Sequence, residues 1–291
     1  MSAGENVATA GTENAGAATN RADRYAVFGN PIAHSRSPAI HARFAELTGQ
    51  TLTYERLLAP VDGFTAALHD FIAAGGRGAN VTLPFKLEAC AAATRLTARA
   101  EAAGAVNTLT FENGEFVGDN TDGVGLVTDL MRNAGLTLRG KRILLLGGGG
   151  AAQGVILPLL QADPAELVIA NRTAPKAVAL ATRFAASGPI RAAAFETLGS
   201  AHYDLIINAT AASIAGDVPA VDAGLFDGDT FAYDMMYAAA PTAFMHFAAQ
   251  RGATVRDGLG MLVEQAAEAF LVWRGVRPPT AAVLAKLRAA L

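Results

Sequence analysis

A glycine-rich turn near the middle of the chain limits the possible folds more than any other feature. Residues 146–151, Leu-Gly-Gly-Gly-Gly-Ala, follow the apolar run Arg142–Leu146, which predicts a strand, and open a segment that predicts a helix. Read from Gly147, the spacing is G-x-G-x-x-A with Ala152 last, a variant of the dinucleotide fingerprint. Glycines let the backbone approach a pyrophosphate, and the helix N-terminus supplies N–H donors. The turn therefore predicts a nucleotide-binding parallel sheet rather than a plain tight turn.

Strands and helices alternate along the rest of the chain. After Asp122, apolar runs at 142–146, 167–170, 205–207 and 231–233 alternate with helix starts near Gly150, Pro175 and Pro241. The first third alternates as well and carries a hairpin signal at Asn113-Gly114. At 291 residues the chain fits two domains. We expect an α/β protein with an N-terminal α/β substrate domain, a Rossmann-type doubly wound parallel-sheet domain, and a cleft between them.

Composition excludes several classes of function. Hydrophobic residues make up 52% of the chain, which allows a sizeable core. The net charge is −3 and no basic stripe occurs, so we expect no nucleic-acid partner. Cys90 is the single cysteine and the five histidines lack metal-ligand spacing, which predicts no disulfide, no metal and a cytoplasmic enzyme. No apolar run reaches membrane-spanning length, so no membrane contact is expected. Residues 1–22 are interpreted as a flexible tail without a catalytic role.

The residues after the strand at 167–170 favour NADP over NAD. NAD enzymes place Asp or Glu there for the ribose 2′-hydroxyl, but here the strand ends in Asn171-Arg172-Thr173. Arg172 offers a planar fork for a phosphate, and Lys176 adds a second cation. The alternative is that Arg172 and Lys176 are only solvated charges at a helix start. It is weakened because a cation in the first turn of a helix opposes the helix dipole.

Lys86 and Asp122 are the candidate reacting groups. Lys86 comes two residues after Pro84 and so falls in the first turn of a predicted helix. The helix dipole disfavours an ammonium there, which suits a lysine that exchanges a proton near neutral pH. Asp122, within Asn-Thr-Asp-Gly, is predicted to orient the lysine or a substrate hydroxyl. Its competing role is the N-cap of the helix that begins near Gly123.

Two serines after the first strand form a candidate carboxylate site. Ser35 and Ser37 flank Arg36, and Pro38 follows. Ser37 is predicted to cap the next helix, with the proline at its first position, while Ser35 points into the cleft. Two hydroxyls near a helix N-terminus suit a carboxylate.

Taken together, these strings resemble the shikimate dehydrogenase family, over residues 25 to about 290. The matching strings are 27–38 (VFGNPIAHSRSP), 78–82 (GANVT), 104–108 (GAVNT), 118–123 (GDNTDG), 171–173 (NRT), 233–235 (YDM) and 257–262 (DGLGML). The resemblance implies reversible reduction of 3-dehydroshikimate to shikimate with NADPH, within aromatic amino-acid biosynthesis. It also implies a discontinuous substrate domain, 23–121 plus 258–291, around an NADP domain at 122–257.

The resemblance also implies roles for individual residues. In the substrate site, Lys86 is the acid/base and Asp122 its catalytic partner, Ser35 and Ser37 hold the carboxylate, Thr82, Asn107, Asp122 and Gln265 hold hydroxyls, and Asn80 and Tyr237 line the pocket. In the cofactor site, Gly147, Gly148, Gly149, Gly150 and Ala151 take the pyrophosphate, Asn171, Arg172, Thr173 and Lys176 take the 2′-phosphate end, and Met235 and Gly258 lie near the nicotinamide.

The chain departs from the family pattern at two places. Ala211-Ala212-Ser213 stands where Ser-Ser-Gly is common, and Lys176 stands where arginine is frequent. An NAD-dependent quinate/shikimate dehydrogenase is an alternative, which the lack of an acid after Asn171 disfavours. A catalytically silent NADP-binding sensor is another, which the presence of both Lys86 and Asp122 disfavours. The expected partner is a small molecule, and the sequence leaves monomer and homodimer open.

Overall fold

The computed structural model describes Met1 and residues 22–291, and most of the tail predicted over residues 1–22 lies outside these described residues. Within 22–291 the strands form two six-stranded sheets. The first contains β1 (Asp23–Gly29), β2 (Leu52–Leu58), β3 (Gly76–Val81), β4 (Arg95–Leu96), β5 (Thr108–Glu112) and β6 (Glu115–Asp119). The second contains β7 (Arg142–Leu146), β8 (Glu166–Asn171), β9 (Ile190–Ala194), β10 (Leu205–Asn208), β11 (Phe231–Asp234) and β12 (Thr254–Asp257).

The first sheet is mixed and has the order β2-β1-β3-β5-β6-β4. β1 runs parallel to β2 and β3, whereas β5 is antiparallel to both β3 and β6. The β5–β6 turn has positive φ at Asn113 (53°) and Gly114 (81°), which confirms the predicted hairpin.

The second sheet is parallel throughout and has the order β12-β11-β10-β7-β8-β9. Counted from β7, this is the 3-2-1-4-5-6 order of a doubly wound nucleotide-binding sheet. Ile143 and Leu145 of β7 face one buried cluster, and Leu144 and Leu146 face another, so both faces are covered. The predicted fold class is thus confirmed.

Each sheet forms the core of one lobe: the first lobe contains β1–β6 and the second contains β7–β12. Helices cover the sheets and join these two lobes. They are α1 (Ser37–Thr48), α2 (Phe64–Ala73), α3 (Lys86–Ala92), α4 (Ala98–Ala103), α5 (Asp122–Thr128), α6 (Gly150–Gln161), α7 (Ala174–Phe184), α8 (Ala212–Ala215), α9 (Ala243–Ala249), α10 (Leu259–Arg274) and α11 (Ala281–Ala289). A π-helical turn, Asp129–Asn133, continues α5. Within residues 22–291 no helix is both long enough and apolar enough to cross a membrane.

Helix α10 connects the second lobe back to the first. Near its start it lies so close to α5 that a Cβ on Gly125 would be 2.7 Å from the Gln265 side chain. Further along, Val263 and Phe270 form a buried cluster with Ile40 and Phe44 of α1. The exact domain boundaries at 121/122 and 257/258 remain a prediction.

Candidate active site

A cavity of about 800 Å³ separates the two lobes. The carboxyl ends of parallel strands surround it, where ligands of open α/β sheets bind. Its lining includes most of the predicted site residues: Ser35, Ser37, Asn80, Thr82, Lys86, Asn107, Asp122, Gly147, Gly148, Gly149, Gly150, Ala151, Asn171, Met235, Tyr237, Gly258 and Gln265. Arg172, Thr173 and Lys176 do not line it and lie beyond its edge.

Lys86 and Asp122 form an ion pair in the cavity wall. Lys86 is the first residue of α3, as predicted, and its Nζ donates to Asp122 Oδ2 at 2.6 Å. The two side chains are 20% and 10% exposed. The pair thus places a proton donor and a carboxylate side by side in a largely buried site.

Asp122 does not cap its helix with its side chain. Helix α5 begins at Asp122 itself, and its N-cap, Thr121, makes no side-chain capping bond. The other carboxylate oxygen, Oδ1, accepts a hydrogen bond from Asn107 Nδ2 at 2.8 Å. The prediction that Asp122 caps helix α5 is therefore wrong. Its two oxygens instead accept hydrogen bonds from Lys86 and Asn107, which line the cavity.

Asn107 fixes the orientation of this group. Its Oδ1 accepts from the Thr121 backbone N–H at 2.9 Å and from Thr108 Oγ1 at 2.8 Å. With the oxygen held in this way, Nδ2 points toward Asp122 and also lies 3.4 Å from Gln265 Oε1. Residues from β5, α5 and α10 thus share one hydrogen-bonded network.

Tyr54 belongs to the site although sequence reasoning missed it. Its hydroxyl donates to Asn80 Oδ1 at 2.7 Å, and Asn80 Nδ2 donates to Thr108 Oγ1 at 3.0 Å. Burial raises the pKa of Tyr54 well above its usual value, and a contact with Ser37 lowers it by less. Nothing in the sequence around Tyr54 marks it as a site residue. Its bond to Asn80 depends on β2 and β3 lying on either side of β1, which only the sheet order shows.

The two serines lie side by side, but Ser37 does not cap the helix as predicted. Ser37 is the first residue of α1 rather than its cap, and Arg36 is the N-cap without a side-chain capping bond. Ser35 Oγ instead accepts from the Ser37 backbone N–H at 3.3 Å and lies 3.2 Å from Ser37 Oγ. Arg56 donates to the Ser35 carbonyl at 2.9 and 2.7 Å, which fixes the loop. Both hydroxyls still line the cavity.

The glycine-rich turn fits a dinucleotide pyrophosphate. Gly147 has a φ of 118°, which favours glycine, and a Cβ there would lie 3.0 Å from the Ala209 carbonyl oxygen. At Gly149 and Gly150 a Cβ would meet no described atom within 4 Å, so this backbone borders open space. Helix α6 begins at Gly150 without a side-chain cap or an acid in its first turn, which leaves its N–H groups available to an anion.

The residues predicted for the adenosine side of the cofactor are polar and lie at the end of β8 and the start of α7. Asn171, at the end of β8, donates from Nδ2 to the Thr173 carbonyl at 3.0 Å. The side chains of Arg172 and Lys176 are exposed and make no hydrogen bond or ion pair with any described residue. Two unpaired cations beside a strand end without a carboxylate suit a 2′-phosphate.

The residues predicted to lie near the nicotinamide, Met235 and Gly258, are found where β11 meets the start of α10. A Cβ on Gly258 would collide with the Met235 carbonyl oxygen, and Gly258 N donates to the Met236 carbonyl at 3.0 Å. The unusual Ser213 donates to the buried Asp234 Oδ2 at 2.6 Å and accepts from Asn208 Nδ2 at 3.0 Å. The loop at 211–213, which departs from the family pattern, therefore holds the end of β11 next to Met235.

The histidines carry no metal site among the described residues, where no group of three or more His, Cys, Asp or Glu side chains could hold an ion. His34 lines the cavity. His41 is fully buried and stacks on Tyr54, with ring centroids 4.2 Å apart. Burial lowers its pKa to about 3, so it acts as a neutral packing residue.

A doubly wound sheet with a pyrophosphate turn, facing a lysine–aspartate pair across a cleft, defines a two-domain nicotinamide-nucleotide dehydrogenase. Comparisons with known proteins give the particular family. Residues 27–109 match the model of the shikimate dehydrogenase substrate binding domain. Residues 129–215 match the shikimate / quinate 5-dehydrogenase model, and 258–288 match the shikimate 5′-dehydrogenase C-terminal domain.

Individual relatives agree with these models. Shikimate dehydrogenase (NADP(+)) of Janthinobacterium sp. (strain Marseille) is 65% identical over 93% of this chain and 98% of the relative. The enzyme of the same name from Herminiimonas arsenicoxydans is 63% identical over 92% and 98%. Shikimate 5-dehydrogenase from Thermus thermophilus, solved with NADP(H) and shikimate, is 34% identical, with a TM-score of 0.83 over 92% of this chain and 100% of that one. The chain belongs to the shikimate dehydrogenase family.

Proposed function

We propose that this chain catalyses the reversible NADPH-dependent reduction of 3-dehydroshikimate to shikimate, within aromatic amino-acid biosynthesis. The observation that carries the proposal is the Lys86–Asp122 pair in one cavity with the glycine-rich turn. The NADP-dependent shikimate dehydrogenases at 63–65% identity support the same substrate and cofactor.

In this proposal, bound NADPH supplies the hydride, and the protein positions the groups and moves the proton. Lys86 Nζ donates a proton to the oxygen that becomes the new hydroxyl, and it takes that proton back in the oxidation. Asp122 holds the ammonium in place at 2.6 Å and binds a neighbouring substrate hydroxyl. Asn107 keeps the aspartate in register through its bond to Oδ1.

The remaining polar lining binds the rest of the substrate. Ser35 and Ser37 are assigned to the carboxylate, and Thr82, Asn107 and Gln265 to the ring hydroxyls. Tyr237 lines the pocket from the other lobe. Asn80 already uses its amide to bond Tyr54, Thr108 and the Asn107 carbonyl, so we assign it the task of shaping the pocket.

For the cofactor, we assign residues 147–151 to the pyrophosphate and Asn171, Arg172, Thr173 and Lys176 to the adenosine 2′-phosphate. Met235 and Gly258 border the nicotinamide. We place the enzyme in the cytoplasm because a lone cysteine, Cys90, suits a reducing compartment. Monomer and homodimer remain equally compatible with the sequence.

The deciding experiment measures initial rates of shikimate oxidation with NADP and NAD in parallel, with quinate as a second substrate. We expect strong activity with shikimate and NADP alone. Comparable rates with quinate or NAD would favour the broader quinate/shikimate enzyme and contradict the assignment of Arg172. Binding of NADPH without turnover of either substrate would favour the silent sensor.

A further inference from the structure

The formal charges of the cavity lining do not cancel. The formally charged side chains in its lining are Arg36, Lys86 and Asp122, with His34 and Tyr237 counted as neutral. Lys86 and Asp122 are joined at 2.6 Å and are neutral as a unit. The Arg36 side chain makes no hydrogen bond or ion pair with any residue of the described chain, 22–291. One positive charge in the lining is therefore left without a partner.

The backbone at Arg36 is fixed by its neighbours. Arg36 is the N-cap of the 12-residue helix α1, which has no acid in its first turn. It lies between the two serines, and the carbonyl of Ser35 is held by Arg56 at 2.9 and 2.7 Å. The helix dipole and the guanidinium therefore favour an anion at the same point.

The guanidinium also acts on the opposite wall of the cavity. Burial raises the pKa of Tyr237, and the positive charge of Arg36 lowers it by a smaller amount. Tyr237 follows β11 in the second lobe, whereas Arg36 precedes α1 in the first. The charge thus acts across the space that a substrate would occupy.

We propose that Arg36 pairs with the substrate carboxylate and makes the enzyme select an anionic substrate over an uncharged one. The inference rests on the proposed function, since shikimate carries one carboxylate. Ser35 and Ser37 supply hydrogen bonds but no charge, and Arg36 supplies the charge together with a fork that matches a carboxylate. Its place is specificity in binding rather than chemistry on the reacting carbon.

The test compares three variants in steady-state oxidation of shikimate by NADP. For Arg36→Met we expect the shikimate KM to rise roughly tenfold, as expected for loss of a charge-assisted contact, with kcat changed less than about twofold. Arg36→Lys should recover most of the loss because it restores the charge. Arg43→Met is the matched control, since Arg43 lies on the same helix and pairs with Glu46 on the surface. Its shikimate KM should stay at the wild-type value.

The uncharged methyl ester of shikimate separates charge from shape. Its KM, or its Ki against shikimate where turnover is slow, should be the same for wild type and Arg36→Met. Equal weakening of acid and ester would mean that Arg36 only shapes the loop, and a raised KM for NADP would mean that it serves the cofactor. Either result, or an unchanged shikimate KM, overturns the inference. Failure of the wild-type protein to oxidise shikimate would instead overturn the proposed function.

Discussion

The two sides of the cleft use their polar groups in opposite ways. On the substrate side, Asp122 accepts hydrogen bonds from Lys86 at 2.6 Å and from Asn107 at 2.8 Å, and these side chains are largely buried. On the cofactor side, Arg172 and Lys176 are exposed without a partner among the described residues, and the glycine-rich turn offers bare backbone.

The difference follows from what each side must do. Proton transfer needs the donor group held in position before the substrate arrives, and a shared network achieves this. A dinucleotide brings its own charges, so its site needs only accessible N–H groups and cations. Changes in the network of Lys86, Asp122 and Asn107 should therefore act on kcat, and changes on the cofactor side should act on the KM for NADP.

The largest expected effect is the loss of Lys86. Lys86→Met should lower kcat by roughly 10²- to 10⁴-fold with little change in the KM for shikimate, because a general acid is removed. Steady-state rates of NADP reduction measure it. Lys141→Met is the control, since Lys141 pairs with Asp204 outside the cleft. Near-normal turnover by Lys86→Met would show that another group carries the proton.

The next largest expected effect is on NADP binding and tests Arg172, one of the two unpaired cations at the end of β8. Arg172→Ala should raise the KM for NADP by roughly tenfold or more, as expected for a lost charge-assisted phosphate contact, while kinetics with NAD stay unchanged. Arg139→Ala removes an exposed arginine of the same lobe that pairs with Asp163, and it should leave both cofactors unaffected. A parallel loss with NAD and NADP would contradict the assignment to the 2′-phosphate.

A pair of glycine substitutions separates binding from stability. Gly149→Ala places a methyl group in open space, so its melting temperature should stay within about 3 °C of wild type while the KM for NADP rises. Gly147→Ala, at a φ of 118°, should be the less stable protein by about 1–3 kcal/mol. Thermal unfolding and NADP titration of both variants decide the point. If Gly149→Ala binds NADP normally, the pyrophosphate lies elsewhere.

The smallest expected effect tests the support behind the substrate side. Tyr54→Phe removes the hydroxyl that bonds Asn80 at 2.7 Å, and the loss of about 1 kcal/mol should lower kcat/KM for shikimate by roughly fivefold. Tyr203→Phe is the matched control, because Tyr203 is a buried tyrosine of the other lobe whose hydroxyl accepts a hydrogen bond from Arg191. Equal effects from both variants would mean that Tyr54 contributes only general stability.

Much of the fold was predictable because local patterns agree with it. β7 and the start of α6 were predicted at their observed residues, since an apolar run and a glycine-rich turn mark them. The strands β9 and β12 were missed. β9 (Ile190–Ala194) is an edge strand in which an exposed arginine, Arg191, interrupts the apolar residues and the rest are only partly buried, so it shows no run of large apolar residues.

The sequence by itself determined the class of fold, the nucleotide turn and the pair of candidate reacting groups, because each depends on residue type within a short segment. Only the tertiary structure decided which atoms meet. Asp122 bonds Lys86 and Asn107, which lie 36 and 15 positions away, instead of capping its helix. The tertiary structure also placed Arg36 in the cavity without a partner among the described residues, and it bonded the Tyr54 hydroxyl to Asn80. Such pairings depend on how separate strands and helices pack, and no local pattern records them.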